Sequence, residues 1–284
     1  MSVVSSVEAV PNRLAILARD VAQHPEGLSR AEVLRRVVPS GEGELAPKCL
    51  VEALRIGLLK VDGDIHRAIP EAASEDAILA YLDGVLRQRQ PARERQHEEV
   101  TLALAWLLTL DPLHPLPWGR NPVDDVRREC AGRDLGLTNA SALQQFLYWA
   151  RYLGYATFIQ RSGAREAVAD PTRALRRLLP GVFEGSTRLP VRELFRRLGG
   201  VSDLFEDGAA RSDIEDCLAV APEVAPERLR EPGAISRSTG LALRRLHRSG
   251  ELRLEEAADA DKLVMLFPCD FGAVSHISLG EVRR

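Results

Sequence analysis

The chain has 284 residues, which is too long for one small domain and suits two or three domains of roughly 100 residues each. Its net charge of −3 and pI near 6.1 exclude a protein with a basic surface throughout, so any nucleic-acid site must be local. Apolar residues make up 45% and aromatic residues 5%, which predicts aliphatic and mainly helical cores.

Cysteine spacing and the start of the chain indicate the compartment. The four cysteines lie far apart without a CxxC pair, and the first residues lack the basic and long apolar segments of a signal peptide. The longest apolar stretch, TLALAWLLTL at 101–110, has about half the length that a membrane-spanning helix needs. We therefore expect a reduced, cytoplasmic protein without a membrane segment, in which residues 101–110 form a buried helix.

The first 72 residues read as a compact helical unit with a hairpin. Residues 12–23 predict a helix whose inward side chains are Leu14, Leu17, Ala18 and Val21. Ser29 is expected to cap a second helix, with Glu32 in the capping-box position. A third helix at 47–56 precedes two short strands, and an Asp-Gly dipeptide at 62–63 predicts the turn between them.

A second unit follows a connecting helix at 75–89 and a charged, proline-marked joint, RQPARERQ, at 89–96. Its first helix is predicted at 94–110, and the proline-rich loop DPLHPLPWGRNP follows it. Asn121 is expected to cap the next helix, and either Thr138 or Asn139 to cap the helix after that. The strands YATFIQ and AVAD then flank a polar turn.

The third unit is preceded by a helix at 172–179 and opens with LPVRELFRRLGG. Further helices are predicted from 212 and over 235–249. We expect ELRLEE and KLVMLF to form the hairpin around AADAD, and HISLGEVRR at 276–284 to be an added strand or a mobile tail.

One segment recurs in all three units: an amphipathic helix, a glycine and a pair of short strands. When Gly57, Gly154 and Gly250 are superposed, the inward helical positions coincide; these are Leu50, Leu147 and Leu243, then Ala53, Ala150 and Leu246. Each glycine stands where a helix must end in the left-handed conformation. The pattern predicts a mainly α fold with small β-hairpin wings, arranged as three tandem winged-helix units at 1–72, 73–180 and 181–284.

The basic residues that could bind DNA are concentrated in the third unit. The segment ISRSTGLALRRLHRSGELR combines a local charge surplus with hydroxyl groups at a helix start, an arrangement suited to phosphates and guanine edges. Helical spacing puts Arg237, Arg244 and Arg248 on one face. The predicted DNA-binding residues are Ser236, Arg237, Ser238, Arg244, Arg245, Arg248 and Arg253. We expect the partner to be double-stranded DNA.

The corresponding helix of the second unit carries aromatic residues and little charge. Tyr148 and Tyr152 could stack on a splayed base or anchor a partner protein, with core packing as the alternative. Trp149 is expected in the core.

No arrangement of residues favours catalysis. HEEVT at 97–101 lacks the second histidine of a zinc-protease motif. Three carboxylate clusters, at 124–125, 203–207 and 213–216, could hold a divalent metal, but charge that complements a helix start explains them better. We expect no enzyme activity, no metal and no cofactor, and we see no sign of a small-molecule substrate.

The length, FLYWARYLGYATF and the arginine-rich third helix together resemble the DpdG family, which is encoded beside 7-deazaguanine DNA-modification enzymes. That resemblance implies an accessory or restriction-side role, with other protein subunits as partners, and assigns no catalytic residue. The resulting hypothesis is a non-catalytic DNA-binding subunit of a bacterial DNA-modification or antiviral defence assembly. Two alternatives stay open: a winged-helix scaffold for a condensin-like or other ATPase, and a stand-alone transcriptional regulator.

Overall fold

The computed structural model describes residues 10–40, 43–87, 98–222, 224–267 and 272–280. This part of the chain is mainly helical and contains four small three-stranded sheets. None of its helices combines the length and hydropathy that crossing a membrane requires.

The first unit follows the predicted order of elements. It comprises α1 (Pro11–Ala22), β1 (Leu28–Ser29), α2 (Arg30–Val37), α3 (Leu45–Arg55), β2 (Leu59–Asp62) and β3 (Ile65–Ala68). The capping box is confirmed: the Ser29 hydroxyl accepts from the Glu32 amide, and the Glu32 carboxylate accepts from the Ser29 amide at 2.8 Å. All four inward residues predicted for α1 are buried. The turn is Gly63–Asp64, one residue later than predicted, because Asp62 pairs with Ile65.

A connecting helix leads to the second unit. The elements are α4 (Glu75–Arg87), α5 (Glu98–Thr109), β4 (Leu116–Pro117), α6 (Val123–Glu129), α7 (Ala140–Leu153), β5 (Ala156–Arg161) and β6 (Ala164–Ala169). Asn139 caps α7 by accepting from the Ala142 amide at 2.9 Å. Asn121 Oδ1 accepts from the Val123 amide at 3.4 Å, as predicted for a cap, although α6 itself begins at Val123, one residue later than predicted. The predicted joint at 89–96 lies outside the described residues.

The third unit contains more elements than predicted. They are α8 (Thr172–Val182), β7 (Arg188–Pro190), α9 (Val191–Val201), α10 (Ala209–Val220), β8 (Ala234–Ile235), α11 (Arg237–Arg248), β9 (Leu252–Glu255), β10 (Leu263–Met265), β11 (Ala273–Val274) and β12 (His276–Leu279).

The predicted hairpin of the third unit is wrong. β9 pairs with β12, so HISL is the closing strand of the unit, whereas β10 pairs in parallel with β8 and antiparallel with β11. Leu263 and Met265 are buried and Val264 is exposed, the same alternation that a hairpin strand would show. The segment between β9 and β12 is therefore an insertion that forms a second small sheet.

The three units share one topology. In each, a strand before the second helix pairs with the last strand, and the last strand pairs with the strand that follows the final helix: β1–β3–β2, β4–β6–β5 and β7–β12–β9. Gly57, Gly154 and Gly250 have φ values of 78°, 86° and 78°, as their place at the helix ends requires. The six superposed inward residues are all buried.

The core is continuous through the three units. Every residue of α5 from Val100 to Thr109 is buried, because α5 packs against α4, α10 and α11. The prediction of a buried helix at 101–110 is confirmed. The domain division at 1–72, 73–180 and 181–284 stays a prediction; α8, which straddles its second boundary, packs against both α9 and α11.

Candidate nucleic-acid interface

The helix predicted to bind DNA, α11, begins against other elements of the protein. Ser236 is buried, and its hydroxyl donates to Glu206 Oε1 at 2.6 Å. Ser238 is also buried and donates to the Leu108 carbonyl oxygen at the end of α5. The two hydroxyl groups proposed to meet phosphates therefore take part in internal hydrogen bonds.

Two of the predicted arginines pair with buried carboxylates of the second unit. Arg237 Nη1 donates to Asp111 Oδ2 at 3.0 Å, where the Asp111 side chain is 3% exposed. Arg245 donates to Asp170, whose side chain is 4% exposed and which also accepts from Thr172. These ion pairs join α11 to the second unit.

The remaining predicted arginines differ in exposure. Arg244 is half-buried, with its guanidinium 5.9 Å from the centre of the Phe267 ring. Arg248 and Arg253 are exposed. The expected continuous basic strip is thus interrupted: Arg237 and Arg245 are paired with carboxylates, although the Arg245 side chain is 50% exposed, whereas Arg248 and Arg253 are exposed. DNA contact by these residues stays a prediction.

The equivalent helix of the second unit, α7, buries one side in the core and exposes residues on the other, outward side. Its inward residues include Phe146, Leu147 and Trp149, all fully buried, so the core position predicted for Trp149 is confirmed. Tyr148 is 36% exposed and Arg151 is exposed, both on the outward side. Tyr152 is half-buried.

Tyr148 belongs to a cluster that we call the aromatic–arginine surface: Trp118, Tyr148, Arg151, Phe158 and Arg165. The Trp118 ring lies 5.0 Å from both Tyr148 and Phe158, edge to face in each case. Arg151 lies 5.0 Å over the Phe158 ring, and Arg165 lies 5.1 Å over the Trp118 ring. These arginines contact ring faces, and no carboxylate among the described residues pairs with either of them.

A cleft adjoins this surface, between α1 and α7, with a volume of about 910 Å³. α1 contributes Ile16, which is 66% exposed, and Arg19; α8 contributes Arg173. Trp118, Tyr148 and Tyr152 supply aromatic walls. The charged residues that line the cleft are four arginines and one acid: Arg13, Arg19, Arg151, Arg173 and Glu75.

The hydroxyl of Tyr152 is the buried polar group of this cleft. Its oxygen has no hydrogen-bond partner among the described residues. Burial raises the pKa of Tyr152 to about 12; Glu75 adds to this effect, whereas Arg19 and Arg173 oppose it. The hydroxyl is therefore a neutral donor throughout the physiological pH range.

The carboxylate clusters have internal partners. Asp125 accepts from Arg120 and Arg128, and Glu215 accepts from Arg211 and Arg230. The helix-start explanation is confirmed at 124–125 and wrong at 213–216, which lies in the middle of α10. In the described ranges, no three or more His, Cys, Asp or Glu side chains are grouped to hold a metal ion. His97 of the HEEVT segment lies outside them.

The cysteine thiols fit a structural environment. Burial, together with the neighbouring Cys217, raises the pKa of the Cys130 thiol to about 12. A thiol with such a pKa stays protonated and is a poor nucleophile. Cys49, Cys130 and Cys217 form no disulfide.

Sequence reasoning found Tyr148 and Tyr152 but missed the residues that surround them. Trp118 comes from the proline-rich loop, Phe158 and Arg165 from β5 and β6, and Arg19 and Arg173 from helices of other units. The clustering of aromatic letters in FLYWARYLGYATF was the available signal. It marks the helix and the strand without revealing which rings are exposed.

Comparison with known proteins adds one match. The model of a protein family described as DpdG-like matches residues 1–260. Neither the curated proteins nor the solved structures contain a match.

Proposed function

The chain belongs to the DpdG-like family, and from this premise we propose that it is a non-catalytic, DNA-binding accessory subunit of a bacterial DNA-modification or defence assembly. The family supports an accessory role in a DNA-modification island. Internal partners for Asp125, Glu206 and Glu215 support the non-catalytic part, because these carboxylates already bind arginines or hydroxyl groups.

We infer that the three units are winged helices. The order helix, strand, helices and two strands, with the first strand paired to the last, supports this inference in each unit. In a winged helix, the helix before the hairpin and the hairpin itself form one recognition surface. In the second unit these elements are α7 and the β5–β6 hairpin.

The aromatic–arginine surface is the observation that carries the proposal. Its rings lie on α7, β5 and the loop at Trp118, and its two guanidinium groups point at ring faces instead of carboxylates. Arginine can stack on a base or donate two hydrogen bonds to a phosphate. Tyr148, which is 36% exposed, provides a ring on which any base can stack. The surface therefore supplies local basic charge on a chain whose net charge is −3.

The exposed end of α11 provides a second, weaker contact in this proposal. Arg248 and Arg253 are exposed and add positive charge next to the β9–β12 sheet. They are suited to phosphate contacts, which position DNA without reading its sequence.

Binding of a partner protein is the second candidate function. Val220 is 85% exposed and Val264 is 53% exposed, and exposed apolar side chains favour contacts with proteins. If the chain is a scaffold for an ATPase, that ATPase should co-purify with the tagged chain from its own host. The pure chain should then not bind DNA.

DNA binding is tested by fluorescence anisotropy with the full-length chain and a labelled duplex at several salt concentrations. We expect the double variant Arg151→Ala, Arg165→Ala to bind DNA more weakly. The slope of the logarithm of the binding constant against the logarithm of the salt concentration should become smaller in magnitude by about 2, since two phosphate contacts are lost. The charge-matched control is Arg192→Ala with Arg196→Ala, two exposed arginines that pair with Asp261 and Glu193.

The control should retain the wild-type affinity and slope. Absence of DNA binding by the pure wild-type chain at low salt would contradict the proposal. Equal losses in the two double variants would also contradict it, because they would show a general charge effect.

A further inference from the structure

The cleft between α1 and α7 admits fewer kinds of ligand than the open aromatic–arginine surface beside it. The outward side of α7 faces α1 across this cleft, so Tyr148 and Arg151 look toward Ile16 and Arg19. A helix that reads a major groove needs an unobstructed outward side, because the groove itself is only about 12 Å wide. At this end of α7, α1 forms the opposite wall of the cleft and narrows the approach to Tyr148 and Arg151.

A single nucleotide satisfies both the shape and the chemistry of the cleft. Its volume of about 910 Å³ is within the range of pockets that enclose small organic molecules. Tyr148 and Trp118 line the cleft, and Tyr148, which is 36% exposed, offers its ring to a base. The Tyr152 hydroxyl is a buried donor without a partner among the described residues. A base edge that displaces the side chains covering this hydroxyl would supply the missing acceptor.

The rim of the cleft is suited to the sugar-phosphate backbone. Arg173 is exposed on α8, and no carboxylate in the described ranges pairs with it. Arg19 lies 3.8 Å from Glu75, and both side chains are about half or more exposed, so this ion pair is weak and easily exchanged for a phosphate. An acidic peptide could use the arginines but would leave the aromatic walls and the Tyr152 hydroxyl unused.

We propose that the α1–α7 cleft binds an unpaired nucleotide of DNA, with the base against Tyr148 and Tyr152 and the flanking phosphates on Arg19 and Arg173. This inference rests on the proposed function, since it assumes that DNA is the ligand. It adds that the protein prefers single-stranded DNA, or a duplex with an unpaired nucleotide, over closed duplex.

The test uses the full-length chain and three labelled probes of one sequence: a single strand, a fully paired duplex, and the same duplex with one central unpaired nucleotide. We expect the single strand and the interrupted duplex to bind about tenfold more tightly than the paired duplex, as one stacked base suggests. Tyr148→Ala should abolish most of this tenfold preference, because it removes the ring on which the base stacks.

Two more variants separate the chemical groups. Tyr152→Phe removes only the hydroxyl. It should reduce the preference for unpaired over paired probes by a few-fold, which corresponds to the free energy of about one hydrogen bond. Arg173→Ala should weaken binding of the unpaired probes, whereas Arg176→Ala on the same helix should not, because Arg176 pairs with Glu251 outside the cleft. Circular dichroism establishes that each variant is folded.

The outcomes distinguish this inference from the proposed function. If no probe binds, the proposed function fails. If all three probes bind equally and the cleft variants match the wild type, the inference is overturned while DNA binding stands. If a glutamate-rich peptide displaces the single strand as effectively as unlabelled DNA does, the cleft is a site for an acidic protein segment and the inference is likewise overturned.

Discussion

The final helices of the second and third units, α7 and α11, occupy equivalent places in their units and have opposite surroundings. α11 carries more arginines, but Arg237 and Arg245 pair with Asp111 and Asp170 of the second unit. α7 carries little charge, but Arg151 on its outward side joins rings from the loop and strands around it. The number of basic residues on a helix therefore does not give the positive charge that it can offer to a ligand. That charge also depends on whether neighbouring elements supply carboxylates.

The largest expected effect comes from breaking the ion pair that holds the start of α11. Arg237→Ala leaves Asp111 buried without its guanidinium partner and should lower the free energy of unfolding by about 3 kcal/mol. Arg151→Ala, which removes an exposed arginine of α7, should change it by less than about 0.5 kcal/mol. Denaturant unfolding measures both. Similar losses of unfolding free energy in the two variants would contradict the claim that arginines of α11 are held by internal ion pairs and Arg151 of α7 is not.

A second prediction compares the glycines that end the two helices. Gly154→Ala should lower the free energy of unfolding by more than about 2 kcal/mol, because an added Cβ meets the Arg173 Cβ at 2.7 Å besides adopting positive φ. Gly250→Ala should lower it by about 1 kcal/mol, since an added Cβ there meets no atom within 4 Å. Thermal unfolding gives the ranking. A larger loss at Gly250 would contradict the packing described for α8 against the end of α7.

The sequence predicted the repeated framework well, for local reasons. Helix periodicity, the capping box at Ser29 and the glycine at each helix end are set by residues within a few positions of one another. In the third unit, β12 pairs with β9 in place of the predicted β10, and local sequence could not predict this. Both segments are short, and which of them closes the unit depends on distant strands: β12 lies between β7 and β9, whereas β10 lies between β8 and β11.

The candidate site was less predictable because its determinants are distant in sequence. Arg237 and Asp111 are 126 positions apart, and Arg245 and Asp170 are 75 positions apart. A local count of charges on α11 could not include those carboxylates. For the same reason, nothing near Tyr148 in the chain indicated that Arg19 and Arg173 face the same cleft.

The smallest expected effect is on pH dependence and concerns the third unit alone. Burial opposes the charged form of Glu215, yet the hydrogen bonds from Arg230 and Arg211 outweigh burial and lower its pKa below 4.5. A lowered folded-state pKa stabilises the fold above about pH 4.5, and this stabilisation is lost as the pH falls below that value. Unfolding midpoints between pH 6 and pH 3 should therefore depend less on pH in Glu215→Gln than in the wild type.

The control for this prediction is Glu71→Gln, which changes the charge equally at an exposed position. Its profile should parallel that of the wild type. DNA binding should not change between pH 6 and pH 9, because Tyr152, with a pKa of about 12, does not titrate in that range. Parallel profiles for all three proteins would show that the Glu215 ion pairs do not contribute to the pH dependence.

Hydrogen exchange of the full-length chain, measured with and without single-stranded DNA, reports on α7 and α11 in one experiment and so decides which of the two helices binds. We expect DNA to slow exchange in peptides covering α7, the β5–β6 hairpin and the start of α1, with little change over residues 236–243. Protection confined to α11 and β9, with α7 unchanged, would contradict this expectation.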